Sequence, residues 1–185
     1  AMPGLIVIRP CDANETAMAW RIAIQSKKKP VALILTRQDV PTLDREKYVT
    51  AGQLHFGAYV LLDVPDPAVI LMASGSEVDL IVKAQQELAS RNIPARLVSM
   101  PSWELFEAQT PEYKNSVFPP WLKARIAVEA GASQGWCRYT GDKGKIISID
   151  SFGSSAPGEV MMREHGFTVA HICEEVTELL KEKSL

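Results

Sequence analysis

Short apolar runs alternate with amphipathic segments along the chain, and this alternation predicts strands separated by helices. The predicted strands are Leu5–Ile8, Val31–Leu35, Ala58–Leu62, Val69–Ala73, Ala95–Ser99, Ala124–Val128 and Lys145–Ile149. The predicted helices are Glu15–Ser26, Glu77–Ser90, short ones near Trp103–Phe106, Pro111, Gln134–Tyr139 and Glu159–Glu164, and a last one from Thr168 to about Lys183. Regular alternation of this kind indicates an α/β fold.

The apolar pattern also divides the chain into two parts. The first two strands and the helix between them predict a parallel βαβ unit with a right-handed crossover. Residues 38–57 lack clear periodicity, and such a length is unusual for a loop inside a compact domain, so we interpret them as an interdomain linker. From residue 58 onward, the elements predict a three-layer α/β/α domain.

Composition and charge narrow the classes of partner. An apolar content of 46% and a charged content of 23% are ordinary for a globular protein. A net charge of −2 gives no reason to expect a nucleic acid or an anionic membrane as partner, and no apolar run approaches the roughly 20 residues of a membrane span. The three scattered cysteines predict neither disulfides nor a zinc site, which favours a reducing, cytoplasmic setting.

One candidate ligand residue lies at the end of a predicted strand. The run Val31–Leu35 is wholly apolar, so it predicts a strand buried on both faces, and Thr36 and Arg37 follow it. Ligands of open α/β sheets bind at the carboxyl ends of strands, and a guanidinium can bind a phosphate or carboxylate bidentately. A structural ion pair of Arg37 is the alternative, and position alone does not decide between them.

Two loops rich in Ser and Gly are candidate anion sites. Ser74, Gly75 and Ser76 lie where a predicted strand meets a helix N-terminus, which favours anions, and Gly75 would allow close backbone approach. The alternative, which we favour, is a capping box that uses Glu77 or Asp79.

The second loop follows the last predicted strand. Its Ser154 and Ser155 could bind an anion beside the first loop, although a turn at Gly153 and a helix cap explain the same residues. Glu129, at another strand end, is either a functional carboxylate or a member of a structural hydrogen-bond network. The histidines are isolated in the sequence and do not predict a metal site.

Eight blocks, in order and over essentially the whole length, resemble the C-terminal part of transketolase of the bacterial type. They are Val7–Thr16, Ala32–Gln38, Gly57–Val60, Ala73–Val78, Val98–Trp103, Val128–Gly131, Phe152–Pro157 and His165–Thr168. The resemblance implies thiamine diphosphate with Mg²⁺ or Ca²⁺ as cofactors. It also implies a homodimer that transfers a two-carbon ketol unit from a ketose phosphate to an aldose phosphate in the pentose phosphate pathway.

The resemblance also implies a role for each part of the chain. Residues 1–37 would end the pyrimidine-binding domain, residues 38–57 would be the linker, and residues 58–185 would form the C-terminal domain with a mixed, mostly parallel five-stranded sheet. Arg37 matches the arginine that binds the substrate phosphate in this family. No catalytic, cofactor-binding or metal-binding residue is implied within the chain.

Several parts of the family pattern are missing from this sequence. The Gly-Asp-Gly metal motif and the glutamate that activates the cofactor are absent, and Met2 follows Ala1, so we expect the chain to begin at an internal point of a longer protein. The isolated chain should then be inactive, bind no cofactor, and serve structure and dimer assembly. The alternatives are a freestanding regulatory module that binds phosphorylated metabolites, and a subunit of a split transketolase.

Overall fold

A computed structural model describes residues 2–182, and its smaller sheet is the predicted βαβ unit. Strands β1 (Ile6–Ile8) and β2 (Val31–Leu33) pair in parallel, and helix α1 (Ala13–Gln25) lies between them in sequence. Asp12 caps α1, because its Oδ1 accepts the N–H of Glu15 at 2.7 Å.

The larger sheet has five strands in the order β3-β5-β4-β6-β7. Its strands are β3 (Tyr59–Leu62), β4 (Val69–Ala73), β5 (Ala95–Ser99), β6 (Arg125–Val128) and β7 (Lys145–Ile147). Only β3 runs antiparallel to its neighbour, which confirms the predicted mixed, mostly parallel sheet.

Helices cover both faces of this sheet, as predicted. The helices are α2 (Glu77–Ser90), α3 (Trp103–Glu107), α4 (Pro111–Val117), α5 (Cys137–Thr140), α6 (Gly158–Glu164) and α7 (Val169–Glu182). Alternate residues of β4 point to opposite faces: Leu71 enters the core under α2 and α7, while Met72 enters the core under α3, α4 and α5. The predicted end of the last helix at Lys183 lies outside the described residues. Within residues 2–182, no helix combines the length and apolar character needed to cross a membrane.

Strand β2 is shorter and more exposed than predicted. Pairing stops at Leu33, and Ile34 and Leu35 are 49% and 51% exposed. The prediction of burial on both faces is wrong here because β2 has only β1 as a hydrogen-bonded neighbour in the described part of the chain. Strand β7 likewise ends at Ile147, two residues earlier than predicted.

The segment 38–57 is irregular at first and then forms a 3₁₀ helix at Ala51–Phe56. Leu54 of this helix is fully buried against Ile6 and Ile8, so the segment packs tightly under the smaller sheet. Its role as an interdomain linker, and the domain bounds at residues 37 and 58, stay predictions.

Candidate functional site

Arg37 lies on an exposed turn just beyond β2. Thr36 Oγ1 accepts the N–H of Gln38 at 3.0 Å, which bends the chain here. The Arg37 side chain forms no hydrogen bond or ion pair with any other residue among 2–182, so its guanidinium is open to an anion from outside them. Its role as a substrate-phosphate ligand stays a prediction.

Gln38, the residue after Arg37, lies against the start of α6. A Cβ placed on Gly158, the first residue of α6, would come within 2.8 Å of Gln38 Nε2. A groove of about 400 Å³ opens beside this contact, and its lining includes Lys83, Asp79 and Arg163. Lys83 Nζ pairs with Asp79 Oδ2 at 2.6 Å, so the charges are mixed and do not define one class of ligand.

The loop after β4, a predicted anion site, is filled by a side chain of the chain itself. Arg9, which follows β1, places Nη1 3.2 Å from Ser74 Oγ and 3.4 Å from the Ser74 carbonyl oxygen. Gly75 has a φ of +56°, and a Cβ there would come within 2.9 Å of Arg9 Nε. Gly75 therefore makes room for Arg9 in this structure.

Two carboxylates share the Arg9 guanidinium. Arg9 Nη1 lies 2.6 Å from Glu77 Oε2 and 2.5 Å from Glu129 Oε1, and Ser74 Oγ donates to Glu129 Oε2 at 2.8 Å. Burial raises the pKa of Glu129 to about 7, with a further contribution from the charge of Glu77 and an opposing one from Arg9. With both carboxylates ionised, the cluster carries a net negative charge, which disfavours an anion at Ser74 and Gly75.

The capping box predicted for α2 does not form. Ser76 occupies the N-cap position without a capping hydrogen bond, and its Oγ donates instead to Glu77 Oε1 at 2.6 Å. The expectation is wrong because Glu77 faces Arg9 and also accepts the N–H of Ala130 at 3.2 Å.

The structure does not join the two predicted anion loops through hydrogen bonds. Ser154 and Ser155 are exposed, and within residues 2–182 neither forms a hydrogen bond or ion pair. Phe152 in the same loop is fully exposed. An anion site that combines Ser74 to Ser76 with Ser154 and Ser155 stays a prediction.

A largely apolar cleft of about 390 Å³ opens in front of Arg9 and Glu129. It lies where β4, β5 and β6 end, and its walls include Met100, Trp103 and Trp136. The two indole rings meet edge to face, with their centroids 5.1 Å apart, which gives the cleft a well-defined aromatic wall.

A second polar network, which sequence reasoning missed, connects α1 to the larger sheet. Glu15 is fully buried, and its Oε1 accepts hydrogen bonds from Tyr59 Oη and Ser99 Oγ, both at 2.7 Å. Burial, together with the nearby Glu15 carboxylate, raises the pKa of Tyr59, so its hydroxyl remains a donor.

The same network extends into the segment 38–57. Asp12 Oδ2 accepts the N–H of Leu43 at 3.0 Å and a hydrogen bond from Arg45 Nη2 at 2.7 Å. From the sequence, the residue types of Asp12 and Asn14 favour a local helix cap. Nothing in the sequence indicates the distant partners.

Metal ligands do not cluster in the described part of the chain. No three or more His, Cys, Asp or Glu side chains within residues 2–182 are arranged to hold a metal ion. His171 Nε2 lies 3.4 Å from Glu175 Oε1, one helical turn further along α7.

Two family models match the chain. Residues 57–168, more than half of the sequence, match the transketolase-like TK C-terminal domain, and residues 1–42 match the transketolase pyrimidine-binding domain. The chain belongs to the transketolase family. The resemblance noted from the eight sequence blocks is thereby confirmed.

Relatives of this transketolase-family chain are similar over nearly all of it. A transketolase from Geobacillus stearothermophilus is 52% identical over 97% of the chain and 27% of that protein. A transketolase mutant from Pichia stipitis superimposes with a TM-score of 0.91 at 32% identity, over 100% of the chain and 26% of that protein. Transketolase from Leishmania mexicana superimposes with a TM-score of 0.89 at 38% identity, over 98% of the chain and 26% of that protein. The chain thus spans about a quarter of the length of these relatives, and corresponds to their C-terminal portion.

Proposed function

We propose that this chain supplies the substrate-phosphate arginine and the C-terminal domain of an enzyme that transfers a two-carbon ketol unit from a ketose phosphate to an aldose phosphate. The observation that carries the proposal is Arg37, an exposed guanidinium without a partner in residues 2–182, on the turn four residues beyond β2 in a chain of this family. A planar guanidinium suits the oxygens of a phosphate monoester, to which it can donate two parallel hydrogen bonds.

The chemical step itself requires groups that the described residues do not supply. Thiamine diphosphate, when bound, supplies the stabilised carbanion on which ketol transfer depends. Because the sequence lacks the family's Gly-Asp-Gly metal motif and the glutamate that activates the cofactor, we propose that thiamine diphosphate and Mg²⁺ or Ca²⁺ bind to the remainder of the enzyme. Arg37 would bind and orient the substrate by its phosphate, away from the reacting carbon.

The proposal includes the setting of the complete enzyme. We propose a cytoplasmic homodimer that acts on sugar phosphates in the pentose phosphate pathway. The intact reading frame separates this proposal from the regulatory module and the split subunit. A Gly-Asp-Gly motif upstream in the same frame supports it, whereas a native start near Met2 would favour the alternatives.

The test replaces Arg37 in the complete enzyme that contains this chain. Arg37→Leu should raise KM for the ketose phosphate by roughly 10- to 100-fold, the equivalent of one or two charge-assisted hydrogen bonds. Since this contact persists in the transition state, kcat should change little. Steady-state kinetics with phosphorylated and unphosphorylated ketose donors measure both quantities.

A matched control is Arg91→Leu, because Arg91 is an exposed arginine whose partner, Glu87, lies one turn away on α2. This variant should leave KM for both donors unchanged. If Arg37→Leu raised KM equally for the phosphorylated and unphosphorylated donors, the phosphate-binding role would be wrong. We expect no turnover by the isolated chain, even with added thiamine diphosphate and Mg²⁺.

A further inference from the structure

The crevice between the carboxyl ends of β4 and β6 is the topological switch point of the larger sheet. After β4 the chain enters α2 on one face, whereas after β6 it enters α5 on the opposite face. Open α/β sheets bind their ligands in such a crevice, because the loops on either side diverge there and leave space.

The guanidinium of Arg9 occupies this switch point. Ser74 and Glu129, which contact it, are the residues that directly follow β4 and β6, and Glu77 begins α2. Arg9 comes from the smaller sheet, so the larger sheet holds a cationic side chain of the preceding segment where a ligand would otherwise bind. The switch point is therefore an attachment point between the two sheets.

The backbone of Arg9 is held as firmly as its side chain. Its N–H donates to the Pro101 carbonyl oxygen at 2.8 Å, and its carbonyl oxygen accepts the N–H of Gly75 at 3.0 Å. Both contacts are with residues that follow strands of the larger sheet. The end of β1 is thus tied to that sheet by main-chain and side-chain bonds together.

The pairing of β1 with β2 transmits this attachment toward Arg37, and its last hydrogen bond lies nearest to that residue. The carbonyl oxygen of Ile8, the residue before Arg9, accepts the N–H of Ile34 at 2.9 Å. Ile34 lies three residues before Arg37, and β2 has no strand neighbour other than β1 within residues 2–182. The position of Arg37 therefore depends on where β1 ends.

We propose that Arg9 is a positioning residue for Arg37: by seating its guanidinium in the switch point of the C-terminal sheet, it sets the place of the phosphate-binding arginine. The inference rests on the proposed function, since it concerns how Arg37 meets the substrate. It assigns to the C-terminal domain a part in substrate binding without any direct contact with the substrate.

The test measures the coupling between the two arginines in the complete enzyme. Arg9→Gln should raise KM for the phosphorylated ketose about tenfold, with kcat and the KM for an unphosphorylated ketose changed less than about twofold. In the Arg37→Leu background, Arg9→Gln should raise KM for the phosphorylated ketose hardly any further, because the guanidinium that Arg9 positions is absent.

Two milder variants address the possibility that Arg9→Gln does not fold. Arg9→Lys keeps the charge but lacks the planar fork, and Glu129→Gln keeps the shape of one partner without its charge. Each should raise KM for the phosphorylated donor about two- to fivefold. As for Arg9→Gln, this rise should disappear in the Arg37→Leu background. Arg91→Gln is the matched control and should change neither KM.

The possible failures can be told apart. If Arg37→Leu leaves the preference for phosphorylated donors intact, the proposed function is wrong. If Arg37→Leu abolishes that preference but Arg9→Gln leaves KM unchanged, or raises it equally with and without Arg37, only the positioning role of Arg9 is overturned.

Discussion

Strands β2 and β4 lie in apolar runs of similar sequence, yet their surroundings in the fold differ. The run that contains β2 reads Val-Ala-Leu-Ile-Leu, and β4 reads Val-Ile-Leu-Met-Ala. All five residues of β4 are fully buried, because β5 and β6 flank the strand and helices cover both faces. Strand β2 is only partly buried, and the apolar residues after it are half exposed. The apolar run predicts a strand, while the number of neighbours decides how much of it is buried.

The two sheets also differ in what stabilises them. The larger sheet lies between two apolar cores, whereas the buried core of the smaller one has, within residues 2–182, four members: Ile6, Ile8, Ala19 and Leu54. Polar groups attach the smaller sheet to the larger one, through Arg9 at one point and Glu15 at another. Such groups fix how the two sheets are placed against each other, because each buried polar group must meet its partner at one position to offset the free-energy cost of burial.

The largest predicted effect compares one leucine from each strand. Leu71→Ala in β4 should lower the free energy of unfolding by about 2–5 kcal/mol, because it leaves a cavity in a core that cannot collapse around it. Leu33→Ala in β2 should cost only about 1 kcal/mol, since part of that side chain already meets water. Urea denaturation of the chain measures both values. Equal losses would contradict the difference in packing between the strands.

An intermediate effect concerns pH and the Arg9 attachment. Glu129 has a folded pKa of about 7, raised by burial, and an unfolded value near 4.5, so the folded state holds the proton more tightly. Its contribution to stability is complete below about pH 4.5 and is lost as pH rises through about 7, with an upper bound of about 3.4 kcal/mol.

The measurement is the difference in unfolding free energy between the unsubstituted chain and Glu129→Gln, followed from pH 4 to pH 9. Subtraction cancels the titration of carboxylates that lie far from Glu129, because the substitution leaves their surroundings the same in both proteins. We expect the unsubstituted chain to lose stability relative to the variant over this range. A constant difference would show that Glu129 is as readily ionised in the folded chain as in the unfolded one.

The smallest effect concerns the exposed apolar residues beyond β2. The isolated chain should form a dimer or a larger species, because Ile34 and Leu35 continue a strand whose outer edge has no partner among the described residues. Replacing both residues by Lys should shift the chain toward monomer, by about tenfold or less in dissociation constant. Light scattering across a range of concentrations measures this shift.

Trp121→Lys is the matched control, because Trp121 is also exposed but lies outside the smaller sheet. It should leave the distribution of species unchanged. A monomer at high concentration in the unsubstituted chain would contradict the prediction, and would mean that partial burial of β2 is sufficient to keep its edge from pairing.

Much of the fold could be predicted because apolar runs and capping residues, which specify strands and helix starts, are local features of the sequence. The bounds of β4 and β5 agree with their apolar runs, and Asp12 caps α1 as its residue type favours. Ile34 and Leu35 were predicted wrongly, since an apolar run does not reveal how many strands lie beside it. The position of Glu77 near a helix start predicts a cap, because spacing along the sequence does not reveal its distant partner, Arg9.

The sequence by itself determined the order of strands and helices and the family of the chain, whereas the strand that it predicted to run up to Arg37 ends at Leu33. These features follow from local periodicity, from residue type and from blocks that can be compared one by one. Only the tertiary structure decided that Arg9 meets Glu77 and Glu129 and that Glu15 meets Tyr59. Such pairs join residues far apart in the sequence, and their charge and burial arise only when two sheets are brought together.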